Sequence, residues 1–156
     1  MILSGIHKLE SARHQIVGGS ASGGDPRVRG DDKVTKGIPM QRQLLYGKIH
    51  RATVTDAHID YEGSITIDPL LMEAADILPH EKVLIVNLNN GARLESYAIP
   101  GKRGGGEICL NGGAAKHGKK GDLVIIITFG VMTEEEIRRH KPHVVKVDAT
   151  NRILLK

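Results

Sequence analysis

The sequence predicts a mainly β fold: many short strands and two or three helical turns, closed or nearly closed into a barrel. Three observations lead there. Between residues 44 and 148, short runs rich in Val, Ile, Thr and Leu recur, separated by Gly, Asn, Asp and Pro. The turn "NNG" at 89–91 joins two such runs. Helical signals are confined to short pieces that carry their own N-caps.

Residues 1–39 hold seven of the 19 glycines and no aromatic residue, and the run "VGGSASGGDPRVRGDDKVTKG" has neither helical nor strand periodicity. Such a segment buries too little to order itself. It reads as an extension, either a tail or tag, or a stretch upstream of a translation start at Met40, and neither His7 nor His14 is assigned a role. Residues 40–156 form the one expected domain.

Within that domain, "LLYGKIHRATVT" (44–55) alternates apolar and polar positions, with Lys48, His50 and Ala52 on one face and Gly47, Ile49 and Arg51 on the other. "SITI" (64–67) reads as a strand. Asp68 is an N-cap and Pro69 the first helical position for "LLMEAAD" (70–76). "KVLIVNL" (82–88) and "ARLESYAI" (92–99) flank the Asn-Gly pair, whose positive φ suits a tight hairpin. "GEICLNGGAA" (106–115) is a strand entering a Gly-rich bend, and "DLVIIITFG" (122–130) is apolar enough for burial on both faces. Thr133 and Glu136 make a capping box for "EEEIRRH", and "HVVKVD" (143–148) returns to strand. No internal repeat is present.

Composition narrows the function classes. The 22 basic and 18 acidic residues, net +4, are intermixed rather than gathered in a stripe, and three Tyr, one Phe and no Trp make no stacking platform. No nucleic-acid partner is expected, whereas a small anionic substrate is compatible. Cys109, the one cysteine, cannot form an internal disulfide, and no Cys/His cluster has zinc spacing. The longest apolar stretch, 123–127, is too short to span a bilayer, and the N-terminus lacks a signal-peptide apolar block, so no membrane association is expected. The cytoplasm is the expected compartment.

Several residues could carry chemistry. Lys48 and His50 face either solvent or a cleft if Ile49 points inward. Arg93, Glu95 and Tyr97 share one strand face, the polar outer face of the hairpin or part of a site. "NGGAAKHG" either turns the chain or offers backbone N–H groups to an anion. Gly63-Ser64, with Tyr61 just before it, sets a flexible residue directly ahead of a hydroxyl nucleophile. No histidine spacing suggests a metal site.

Taken in order, "YGKIHRATVTDAHIDYEGSITID", "NNGARLESYAI", "GEICLNGGAA" and "GDLVIIITFG" resemble the pyruvoyl-dependent aspartate 1-decarboxylase family, and the resemblance runs from Met40 to about Lys156. It implies a double-ψ β-barrel, a homotetramer with active sites between subunits, and decarboxylation of L-aspartate to β-alanine and CO2, a supply for pantothenate and coenzyme A synthesis. No metal and no pyridoxal phosphate is implied.

The resemblance also implies that the chain breaks itself between Gly63 and Ser64. Ser64 Oγ attacks the Gly63 carbonyl through a five-membered ring, and the peptide becomes an ester. Loss of the Ser64 Cα proton expels the Gly63 carboxylate, and the dehydroalanine left behind hydrolyses to a pyruvoyl group. By the same resemblance the Ser96 hydroxyl polarises the Gly63 carbonyl, and Asn111 helps to stabilise the cyclic intermediate. The family pattern has Thr where Ser96 stands, so this chain keeps the hydroxyl and loses a χ1 restriction. The pyruvoyl ketone condenses with the substrate amine and takes up the electrons released as the α-carboxylate leaves. Tyr97 then supplies the proton. Arg93 and Lys48 bind substrate carboxylates, and Gly112, Gly113 and Ala114 present backbone N–H groups, with Gly113 replacing the usual Ala. His50 and Tyr61 match supporting positions.

Two rival readings differ in what they predict. A barrel that binds or assembles without processing itself uses Gly63-Ser64 as an ordinary bend, and its chain stays whole. A pyruvoyl decarboxylase for another amino acid shares the chemistry and differs in the pocket; Arg93 with Lys48 favours a substrate carrying two carboxylates.

Overall fold

The computed structural model describes residues 40–155, so the readings of residues 1–39 lie outside it. The chain forms β1 (Gln41–Thr53), β2 (Asp56–His58), β3 (Ile65–Ile67), α1 (Pro69–Ala74), β4 (Lys82–Asn87), β5 (Arg93–Pro100), β6 (Ile108–Asn111), a 3-10 turn (Gly112–His117), β7 (Leu123–Thr133), α2 (Glu134–Arg139) and β8 (His143–Lys146). It is mainly β with a few short helices, as the sequence predicts.

The strands hydrogen-bond in the order β2-β6-β3-β5-β4-β7-β1-β8. The pairs β1/β8, β2/β6 and β3/β5 are parallel and the others antiparallel. No pair joins the two margins, β2 and β8, yet β1 runs through Val54 and Thr55 directly into β2. One extended segment therefore serves both ends of the sheet. Its backbone stays bonded through the junction: Val54 N–H donates to the Asp122 carbonyl (2.8 Å), Gly121 N–H to the Val54 carbonyl (2.8 Å) and Thr55 N–H to the Ile108 carbonyl (2.7 Å). This rolled sheet with parallel crossings is the double-ψ type of barrel. Inside it Ile49, Val54, Ile65, Ile67, Val83, Ile85, Ile108, Val124 and Ile126 are wholly buried. Each such side chain contributes about 1.5–3 kcal/mol relative to exposure.

Two strand readings need correcting. The alternation in β1 does not hold through its length, because the register shifts between Ile49 and Ala52 and Arg51 takes φ 62°. Ala52 thereby returns to the buried side with Ile49, and Arg51 is exposed. In β7 only Val124, Ile126 and Thr128 are fully enclosed, while Ile125 and Ile127 are half-buried and Phe129 is 43% exposed. Its apolar run thus fills one face and leaves the other partly open. The hairpin forms, but with a loop over 88–92 in which Gly91 (φ 75°) is the positive-φ residue.

The helices begin as their caps dictate. Thr133 and Glu136 complete the capping box of α2, with Thr133 N–H donating to Glu136 Oε2 at 2.8 Å. Asp68 does more than cap α1. Its buried carboxylate accepts from the N–H groups of Leu70 (2.9 Å), Gly104 (2.9 Å) and Gly106 (2.7 Å), tying the helix to the loop that leads into β6. Asn151 plays the matching part at the C-terminal end, bonding Thr53 N–H and the carbonyls of Thr53 and Gly106 at 2.7–2.8 Å. No helix among the described residues is long and apolar enough to cross a membrane.

Burial raises the Asp68 pKa, but the backbone donors of Gly104, Leu70 and Gly106, aided by Arg103, outweigh it and hold the carboxyl below its usual range. A carboxyl depressed by folding contributes stability above its unfolded pKa and loses it as pH falls through the folded value. Asp68→Ala is expected to cost about 3 kcal/mol in urea denaturation at neutral pH. Asp68→Asn should flatten the acid limb of the stability profile below about pH 4.

Candidate active site

The three-residue β3 lies between β5 and β6, and Ser64 directly precedes it. Ile65 pairs with Leu110 of β6, and the next step back sets Ser64 opposite Asn111, where Asn111 N–H donates to the Ser64 carbonyl at 3.0 Å. On the other side Ile65 pairs with Ala98 of β5. Ser96 and Tyr97 directly precede that partner in β5.

The backbone at this point is unusual. Gly63 has φ 108° and Ser64 φ 90°, successive residues in a region that L side chains rarely adopt. Gly63 tolerates it, whereas for Ser64 the cost is on the order of 1–3 kcal/mol. Ser64 is 3% exposed, so the strain falls on a buried hydroxyl. Asn111 Nδ2 donates to Ser64 Oγ (3.2 Å) and to Thr66 Oγ1 (2.8 Å), while the Asn111 carbonyl oxygen accepts from the Cys109 thiol (3.4 Å). The four side chains share one face of two paired strands. The sequence did not single out Thr66 or Cys109 for this site, although period two along "SIT" and "CLN" would have aligned them with Ser64 and Asn111.

Gly112 fits against the same turn. A Cβ there would lie 2.8 Å from both Cα and N of Gly63 and 2.6 Å from the Tyr61 carbonyl oxygen, and Gly112 has φ 55°. No other residue type could approach so closely. Gly113 is exposed, with open space where a Cβ would go, and Ala114 is buried. The predicted loop is thus divided between packing and surface.

The structure brings together Gly63, Ser64, Asn111 and Gly112, with Tyr61 adjoining through its backbone and its ring 55% exposed. Ser96 is half-buried on the side of β5 shared with Ala98. Arg93 and Tyr97 stand on the opposite, exposed side with Glu95, which pairs with Lys82 at 2.7 Å. Tyr97 is 41% exposed and lies 6.4 Å, centroid to centroid, from the His80 ring. Lys48 is half-buried in β1, and no hydrogen bond or ion pair among the described residues joins it, or Arg93, to Ser64. His50 lies beside it in β1, opposite Lys146 of β8. Burial, then the charges of Lys48, Arg51 and Lys146, lower the His50 pKa and favour neutral imidazole, whose buried Nδ1 has no partner among the described residues. Among those residues no group of three His, Cys, Asp or Glu is placed to hold a metal ion.

A cavity of about 630 Å3 opens elsewhere, between Tyr46, the end of β7 and α2. None of the predicted site residues lines it. Tyr46 stacks on His140 and donates to Asp76 Oδ2 at 2.5 Å, so these groups are occupied with one another.

The arrangement sets a buried hydroxyl, bonded by an amide, beside a backbone held at two positive φ angles. Residues 40–154 match the family model described as "Aspartate decarboxylase". Among curated proteins, the chain is 57% identical over 114 residues to an aspartate 1-decarboxylase of Listeria monocytogenes serovar 1/2a, covering 73% of this chain and 90% of that one. It is 60% identical over 110 residues to an aspartate 1-decarboxylase of Dehalococcoides mccartyi strain CBDB1, covering 70% and 89%.

Gly112→Ala must displace the Gly63 backbone and is expected to cost about 2–3 kcal/mol in urea denaturation. Gly113→Ala, with open space at its Cβ, should stay within about 0.5 kcal/mol of the parent in the same experiment.

Proposed function

This chain belongs to the aspartate decarboxylase family, and on that premise we propose that it works through a pyruvoyl group made from its own Ser64. The reaction is the α-decarboxylation of L-aspartate to β-alanine and CO2. The observation that carries the proposal is the pair of positive φ angles at Gly63 and Ser64, held beside the Asn111 carboxamide.

Maturation begins with attack of Ser64 Oγ on the Gly63 carbonyl carbon. A chain already distorted at that bond starts closer to the cyclic geometry than an extended strand does. Asn111 Nδ2 steadies the attacking oxygen, and the hydroxyl of Ser96, two residues before the β3 partner Ala98, supplies a donor to the carbonyl oxygen as charge develops. The bond then passes to an ester, and removal of the Ser64 Cα proton releases the Gly63 carboxylate. The groups around Ser64 fit this use, since its oxygen already accepts from an amide and it is shielded from water.

The pyruvoyl group supplies an electron sink for the bond to the departing carboxylate. The remaining tasks fall to side chains. Arg93 offers a planar fork and Lys48 a point charge to the substrate carboxylates, and Tyr97 returns one proton to the product carbon. The N–H groups of Gly112, Gly113 and Ala114 orient the substrate. His50 and Tyr61 line its surroundings.

Arg93 and Tyr97 lie on an exposed face, and β7 leaves Phe129 and Val131 uncovered. Both observations support a site completed by a neighbouring copy, in a homotetramer. The working domain is residues 40–156, cut into two pieces that stay together.

Intact mass under denaturing conditions should give two fragments meeting at Gly63/Ser64, the second about 17 Da lighter than a Ser-terminated chain. A chain that stays whole after prolonged warming would overturn the proposal. Ser64→Ala should remain uncut and inactive. Tyr97→Phe should mature but lose turnover by at least about a hundredfold. Arg93→Ala should raise KM about tenfold or more, and an unchanged KM would assign the carboxylate clamp elsewhere.

A further inference from the structure

We infer that Thr66 is a positioning residue for self-cleavage: its hydroxyl holds the Asn111 carboxamide, whose other N–H meets the Ser64 nucleophile. This deepens the processing reading above and rests on it.

The geometry follows from strand pairing. β3 and β6 are antiparallel, with Thr66 opposite Cys109, and Ser64 directly opposite Asn111. Asn111 is therefore the diagonal neighbour of Thr66, within reach of a side chain of its length. Its Nδ2 lies 2.8 Å from Thr66 Oγ1 and 3.2 Å from Ser64 Oγ. The shorter bond goes to Thr66, so the amide is anchored there and only leans on the nucleophile.

Cys109 fixes which way round the amide sits. Its thiol donates to the Asn111 carbonyl oxygen at 3.4 Å. Burial, with the charges of Asp56 and Glu107, pushes the thiol pKa up and keeps the proton in place. In the reversed orientation an NH2 would face sulfur, a poor acceptor. The observed orientation alone gives Ser64 a donor. That donor occupies one lone pair of Oγ and leaves another for the Gly63 carbonyl carbon. Without Thr66 the amide loses its better partner and rotates among orientations, few of which hold the attacking oxygen.

Intact-mass time courses of freshly purified chains test this without any reference to substrate turnover. Thr66→Val keeps the shape and removes the hydroxyl; it should slow cleavage about tenfold, and Thr66→Ser should restore the rate to within about twofold. Thr66→Ala removes the hydroxyl without bulk and should match Thr66→Val, which guards against a packing defect in the valine variant. In an Asn111→Ala background, Thr66→Val should have no further effect, because the two act as one unit. Cleavage of both hydroxyl-less variants at the parent rate would overturn the inference, as would slowing that is undiminished in the Asn111→Ala background. If the parent cleaves while these outcomes appear, the processing reading stands and only the role of Thr66 is lost. A parent chain that never cleaves defeats both.

Discussion

The antiparallel pairing of β3 with β6 is the constraint on which the site depends. Two segments far apart in sequence meet there, and the Asn111 N–H bond to the Ser64 carbonyl extends the ladder one residue beyond the strand. β3 has only three residues and would not persist alone. It is held because β5 lies on its other side and because Ile65 and Ile67 are wholly buried. The favourable burial of those two side chains is of the same order as the unfavourable φ of Ser64. A strained serine therefore rests on an ordinary hydrophobic core.

Around this pairing, polar side chains fix the loops. Asp68 gathers three backbone donors from α1 and the segment before β6, and Asn151 ties that segment to the end of β1. Both anchors fix the chain before β6, and so the height at which Asn111 arrives. The buried Asn87–Asp122 pair (2.8 Å) does the same for the turn into β7. Loops that leave a small barrel would otherwise be its most mobile parts.

Much of this was legible in the sequence. As helix starts, Asp68-Pro69 and Thr133 with Glu136 act through neighbours within four residues, so local chemistry decided them. The hairpin was legible for the same reason, though its loop is longer than a two-residue turn. The bulge at Arg51 was not, because nothing in "HRAT" requires a positive φ; the pull of Ala52 toward the core imposes it. The parallel pairings were invisible too, since long connections carry no register signal. Of the site, Gly63-Ser64 and the glycines of "NGG" stood out, and their likeness to a known family linked them. Thr66 and Cys109 were not read as site residues because a Thr and a Cys inside strands look like packing residues until the opposing strand is in place.

The continuity of β1 into β2 has a further consequence for a chain cut after Gly63. All of that extended segment lies on the first piece, while β3 through β8 lie on the second. The first piece supplies a strand near each end of the sheet, β1 bonded between β7 and β8 and β2 bonded to β6. Breaking the covalent link turns a unimolecular fold into a complex of two chains. Its assembly from denatured pieces becomes second order in concentration, and its entropy of association no longer comes free with synthesis. In a chain so cut, a barrel folded before the break would keep its shape, whereas denatured pieces would have to find it by collision.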